Sequence, residues 1–189
     1  MRRFLDRLYA GALALAALAF AAIALLVLVQ IAGRLLDRAA RAFGLVPPGL
    51  TVPSLAEIGG FLFLSAVFLG LAGTLAAGGH VRVTLLTRRL PPVAARWLDI
   101  AVCLGAAGLA AFGTWSSGLQ AWDSFAFGSV SYGMVRVPLW LPQGAMTAGL
   151  ALLTIALLDA AAVLAGGGVP PHQAAEDAKD PAQGAEGGE

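Results

Sequence analysis

Residues 58–77 run for twenty positions without a charged side chain, between Glu57 on one side and His80 and Arg82 on the other. At 1.5 Å of rise per residue, a helix of this length covers about 30 Å, the thickness of a bilayer's hydrocarbon core. In lipid the backbone must satisfy its own hydrogen bonds, so a helix is the conformation open to such a stretch. Three more runs resemble it: one after Arg7, one after Arg96 and one after Arg136. Only 12% of the chain is charged, about half of what a soluble domain carries. The expectation is an all-α membrane protein with four transmembrane helices at about residues 8–31, 57–78, 97–119 and 138–159. Together they make one transmembrane domain over residues 1–165, followed by a disordered acidic tail over 166–189, where Gly, Ala, Pro and acids dominate.

The segments between the spans carry the information. Arg2, Arg3 and Arg7 precede an apolar run of about twenty residues, longer than the roughly 7–15 of a cleaved signal peptide, so the first span is expected to be retained. Over residues 33–43, Leu35, Leu36, Ala39, Ala40 and Phe43 fall on one side of a helical wheel, and Arg34, Asp37, Arg38 and Arg41 on the other. That separation predicts an amphipathic helix lying in the membrane interface, with Asp37 and Arg41 spaced for an i,i+4 pair. Residues 44–53 contain Pro47, Pro48 and Pro53 and read as a non-helical connector. Ser54 with Glu57 three positions on has the spacing of a capping box.

Ala66, Gly70, Thr74 and Gly78 recur every fourth residue and predict a helix-packing face. His80, Arg82, Arg88, Arg89 and Arg96 make the second connection basic. Asp99 falls one turn into the third span, and residues 120–136 read as an aromatic-rich loop or helix extension in the interface. Trp97, Trp115 and Trp140 sit near span ends, as an aromatic belt requires. The N-terminus and second connection hold Arg2, Arg3, Arg7, Arg82, Arg88, Arg89 and Arg96. The first and third connections hold Arg34, Arg38, Arg41 and Arg136. The bias predicts both termini in the cytoplasm.

Several function classes drop out. The sequence has no Gly-Lys-Ser/Thr phosphate loop, no His-Glu-x-x-His and no Gly-x-Ser-x-Gly. His80 and His172 lie outside the predicted spans and Cys103 stands alone, so no catalytic, cofactor or metal site is expected. A net charge of +1 offers no basic face for nucleic acid. Glu57, Asp99 and Asp159 lie at span ends, which leaves no intramembrane ion path. What remains is a subunit whose surface is its function.

The order of short motifs resembles the small, DctQ-type membrane subunit of tripartite ATP-independent periplasmic (TRAP) transporters. The matching residues are Gln30-Ile31-Ala32-Gly33-Arg34, then Glu57, Phe68-Leu69-Gly70, His80-Val81-Arg82-Val83, Ser131-Tyr132 and Val137-Pro138-Leu139-Trp140. The likeness covers about residues 8–165; Ser54, Gly60 and Thr84 depart from the family's usual residues. It implies a bacterial inner-membrane scaffold for a large permease subunit that takes up an organic acid with sodium, the solute being delivered by a periplasmic binding protein. Arg34, Arg38, Arg41, Glu57, Gly70, Thr74, Gly78, His80, Arg82 and Trp140 are the candidates for subunit or lipid contacts. Two alternatives are the small subunit of a tripartite tricarboxylate transporter and a membrane anchor of an enzyme complex; a stand-alone channel is disfavoured by the dry spans.

Overall fold

A computed structural model of the chain describes residues 2–79 and 90–179. It contains α1 (Arg2–Ala42), α2 (Leu55–Ala76), α3 (Pro92–Ala126), α4 (Trp140–Ala165) and a short α5 (Pro171–Lys179). The first four are long and apolar enough to cross a membrane. Among the described residues the one strand-like feature is an isolated antiparallel bridge between Val130 and Pro138.

The long helices stop in the same way. Gly44, Gly78, Gly128 and Gly167 have φ of 71°, 63°, 61° and 84°. In each case the glycine and the residue after it donate their N–H groups back into the last turn: Gly78 to the Leu75 carbonyl at 3.0 Å and Gly79 to the Thr74 carbonyl at 2.8 Å, for example. This left-handed C-terminal motif satisfies carbonyls that would otherwise face lipid or headgroups unpaired, and glycine adopts it without steric cost. Gly78, read from sequence as part of a packing stripe, is such a terminator.

Dense packing joins α1 to α2, α2 to α4, and α4 to α3. The helices therefore form an arc in the order α1–α2–α4–α3, and each outer helix has one closely packed neighbour. Small residues set the spacing. Gly73 of α2 faces the Tyr9 carbonyl and Leu13 of α1, with room for a Cβ only 3.3 Å from the Leu13 side chain. Gly149 of α4 lies against the Phe68 peptide of α2, where an added Cβ would collide with the backbone. The core is correspondingly lean: Tyr9, Ala72, Leu75, Ala107, Ala110, Ala156 and Leu157 in one cluster, and Ile100, Cys103, Ala160, Ala161 and Leu164 in another. Only 17% to 33% of each span's most apolar window is fully buried inside the chain; α2 and α4 are mostly half-buried, while α1 and α3 keep large apolar side chains exposed for lipid or another protein.

Two expectations need correction, and the third helix extends beyond its predicted span. The first span and the amphipathic segment are one continuous helix, α1, of 41 residues and about 60 Å. The pattern changes there from all-apolar to amphipathic, and no residue breaks the backbone ladder. The third helix is longer at both ends than 97–119, running from Pro92 to Ala126. The tail is folded at least through its first part: Pro170 is fully buried, α5 contacts α2, and Gln173 Nε2 donates to Asp99 Oδ2 at 3.2 Å. Composition suggested disorder, but a proline and a glutamine have found partners on the bundle. Residues 180–189 lie outside the described residues.

Candidate docking surfaces at the connector end

Two loops meet the helices at the end of the bundle where α1 stops and α2 starts. The first is the connector between them. Gln30 Oε1 accepts the Val52 N–H at 2.6 Å, and Asp37 Oδ1 accepts the Gly49 N–H at 2.9 Å. Between these two anchors, Leu50 packs its carbonyl on Gly33, where an added Cβ would run into the oxygen. The register is what geometry allows: seven helical residues from 30 to 37 cover about 10.5 Å, and three extended residues from 49 to 52 about 10 Å. Pro47 and Pro48 keep the chain extended as it returns. The connector is thus clipped antiparallel onto α1 by one amide, one carboxylate and one glycine.

This clip changes the expected role of Asp37. Its carboxylate is engaged with the connector backbone rather than paired with Arg41. Among the described residues Arg34, Arg38 and Arg41 make neither a hydrogen bond nor an ion pair, and all three are exposed.

The second loop, residues 127–139, is a small hairpin. Ser131 N–H donates to the Val137 carbonyl at 2.9 Å and Leu139 N–H to the Ser129 carbonyl at 3.0 Å. The buried Ser131 hydroxyl holds the tip from inside, donating to the Val135 carbonyl at 3.2 Å and accepting the Val137 N–H at 3.1 Å. Gly133 at the tip rests on the start of α2: a Cβ there would meet Glu57 Oε2 and would lie 2.7 Å from Ser54 Oγ. The capping box is not formed. Ser54 is left-handed, with φ of 53°, and makes no side-chain cap bond; its hydroxyl instead accepts the Val135 N–H at 3.1 Å. Glu57 Oε2 is buried without a hydrogen-bond partner. The S-x-x-E spacing therefore serves a tertiary contact with a loop some eighty residues away.

Sequence reasoning missed a polar seam between α3 and α4. Thr147 Oγ1 lies 3.0 Å from Ser117 Oγ, and the Gln143 amide, with its oxygen and nitrogen assigned from the surrounding donors and acceptors, reaches Ser124 Oγ at 2.7 Å and the Gln120 carbonyl at 3.2 Å. In a bilayer such interhelical bonds stabilise by about 0.6 kcal/mol each. The signal was present: Ser117 and Ser124 on one helix, and Gln143, Thr147 and Thr154 on the other, each recur on a single face.

The other predicted residues scatter. Gly70 is buried against Ala16 of α1, so it serves packing within the chain rather than an outer surface. Thr74 is exposed, its hydroxyl turned to the Gly70 and Leu71 carbonyls at 3.0 Å each. Trp140 opens α4 with its ring 5.8 Å from Phe125 and perpendicular to it. His80 and Arg82 lie outside the described residues. At the opposite end from the loops, Arg96 donates to the Leu164 and Ala165 carbonyls at 2.6 and 2.7 Å, capping α4 from α3. Among the described residues no three His, Cys, Asp or Glu side chains gather as metal ligands.

An arc of membrane helices with loops clipped at one end and wide uncovered apolar faces defines a class: a multi-pass integral membrane subunit built to be packed against. The chain belongs to the DctQ component family of the tripartite ATP-independent periplasmic transporters, whose family model matches residues 23–166, from the middle of α1 to the end of α4. It is the small permease component of such a system, in the inner membrane, and its family is one of transporter parts rather than enzymes. No curated protein and no solved structure gives a significant match.

Proposed function

We propose that this chain holds a large permease subunit in place within the bilayer while that partner carries an organic acid inward with sodium, the solute arriving on a periplasmic binding protein. One observation supports this most: four apolar helices lie in an arc whose outer members, α1 and α3, leave large side chains such as Leu25, Leu28, Leu109 and Phe112 exposed, with at most a third of any span's most apolar window fully buried by the chain itself. A transport path of its own would need polar groups lining an enclosed route, and Ser117, Ser124, Gln143 and Thr147, which cluster between α3 and α4, are bonded to one another instead. In this reading both termini face the cytoplasm and the two loops face the periplasm. Arg34, Glu57 and Trp140 then act at the outer rim, with Thr74, Gly78, His80 and Arg82 toward the inner one, contacting the permease or lipid headgroups. The test is solute uptake in cells that retain the large permease and binding protein but lack this chain. Loss of uptake, restored by the chain in trans and abolished when sodium is replaced by choline, is the expected result. Wild-type uptake without the chain refutes the scaffold.

A further inference from the structure

α1 carries an open groove of about 390 Å³ lined by Ile31, Arg34, Leu35, Asp37, Arg38 and Arg41. Its chemistry is lopsided. The one acid in it, Asp37, gives a carboxylate oxygen to the Gly49 N–H of the clipped connector. The three guanidiniums beside it have no carboxylate partner among the described residues. Ile31 and Leu35 add an apolar wall and are 49% and 60% exposed. A groove with three unpaired forked cations and an aliphatic wall is complementary to an anion that carries hydrocarbon.

Position along α1 says which anion. The apolar run from Leu8 to Ile31 is about 36 Å long, enough to cross the hydrocarbon core, and Arg34, Arg38 and Arg41 follow within about 15 Å along the axis. Headgroups occupy roughly 5–7 Å on each side of that core, so an upright α1 would lift Arg41 into water. It would lift the connector's apolar side chains with it: Phe43, Leu45, Val46 and Leu50 are 81%, 64%, 90% and 55% exposed. Because α1 is unbroken, a tilt of the whole helix lowers the extension, moves the three arginines toward phosphate depth and turns those side chains toward the interface. A small hydrophilic anion would match the charge but would leave the apolar side chains uncovered.

We propose that the Arg34–Arg38–Arg41 groove binds the phosphate of an anionic phospholipid, with Ile31 and Leu35 against the start of its acyl chains. The connector clip is part of the site, because its Gly49 N–H engages the carboxylate of Asp37, the one acid in the groove. Each guanidinium near an anionic membrane surface strengthens association about fivefold.

The test uses the full-length chain in detergent, titrated with equimolar phosphatidylglycerol and phosphatidylcholine and read by native mass spectrometry. Retention of phosphatidylglycerol at least fivefold over phosphatidylcholine is expected, falling to parity in the R34Q/R38Q/R41Q variant and unchanged in R136Q. Should the triple variant not fold, as judged by circular dichroism, each single variant is expected to lower the preference severalfold. Equal retention of the two lipids by the wild-type chain overturns the proposal. So does a preference that survives the triple substitution in folded protein, or the single substitutions where the triple variant does not fold. A triple variant that keeps its lipid ratio but no longer co-purifies with the large permease would assign the groove to a protein contact instead. The lipid titration uses the chain alone, so its failure is separable from failure of the uptake experiment.

Discussion

Replacing Gly33 with Ala sets two effects of opposite sign against each other. In an exposed helix the substitution stabilises by about 1 kcal/mol, because alanine has less backbone freedom to lose. Here the new methyl lands on the Leu50 carbonyl, and its distance to the Leu50 carbonyl carbon would be 3.1 Å. Backbone cannot rotate away as a side chain can, so the connector must lift. Lifting it removes the Gln30–Val52 and Asp37–Gly49 hydrogen bonds, together about 2–3 kcal/mol once the exposure of the Asp37 bond is allowed for. Global stability should fall by about 1–2 kcal/mol, while the seating of the connector itself loses the full amount of about 2–3 kcal/mol, because α1 remains a good helix in either case. Hydrogen exchange read by mass spectrometry on peptides covering residues 46–53 should then speed up about 30–150-fold, because the helical gain of alanine is present whether the connector is seated or lifted. Gly60→Ala is the matched control, since a methyl there meets nothing within 4 Å. Unchanged or slower exchange over the connector in Gly33→Ala would refute the clip as described.

Gly149→Val places a branched side chain against the Phe68 peptide and should separate α4 from α2. A loss of about 1–3 kcal/mol or more is expected, seen as a lower midpoint in denaturation by sodium dodecyl sulfate. A double-mutant cycle on Ser117→Ala and Thr147→Ala should return a coupling of about 0.6 kcal/mol, and a value near zero would show that the seam is not a bond in the membrane. Tyr9 is 7% exposed and its hydroxyl has no hydrogen-bond partner among the described residues. Tyr9→Phe removes a buried, unpaired polar atom and should be neutral or stabilising in the same assay. Clear destabilisation would mean that a water or partner atom satisfies it.

The four spans were legible because long charge-free runs leave a chain in lipid few choices. The continuity of α1 was not. Residues 33–43 announce a new environment by becoming amphipathic, but periodicity reports what surrounds a helix, not where its backbone ends. Gly33 looked like a boundary and is instead a seat for a distant carbonyl. Gln30, Gly33 and Arg34 were picked out together only through the family resemblance. Why a glutamine and a glycine stand there became clear with residues 49–52 folded back on them. Ser54 and Glu57 show the reverse error, where a local motif fitted the spacing while the side chains answered to Gly133 and Val135. Ser117, Ser124, Gln143 and Thr147 were readable as polar faces on two helices. Their pairing required knowing that α3 and α4 are neighbours.

The order of the helices in space differs from their order along the chain, and this bears on how the protein is made. α1 and α2 emerge consecutively and can pack at once as a hairpin through Gly73. α3 is synthesised next, yet its dense contacts are with α4, so it must wait in the bilayer until α4 follows. The second hairpin, tied by the Ser117–Thr147 and Gln143–Ser124 bonds, then joins the first along the flank of α4 that carries Gly149. This contact pattern predicts late docking of two finished hairpins, so a residue that spoils the Gly149 contact should strand both halves in the membrane, each locally folded and neither joined to the other.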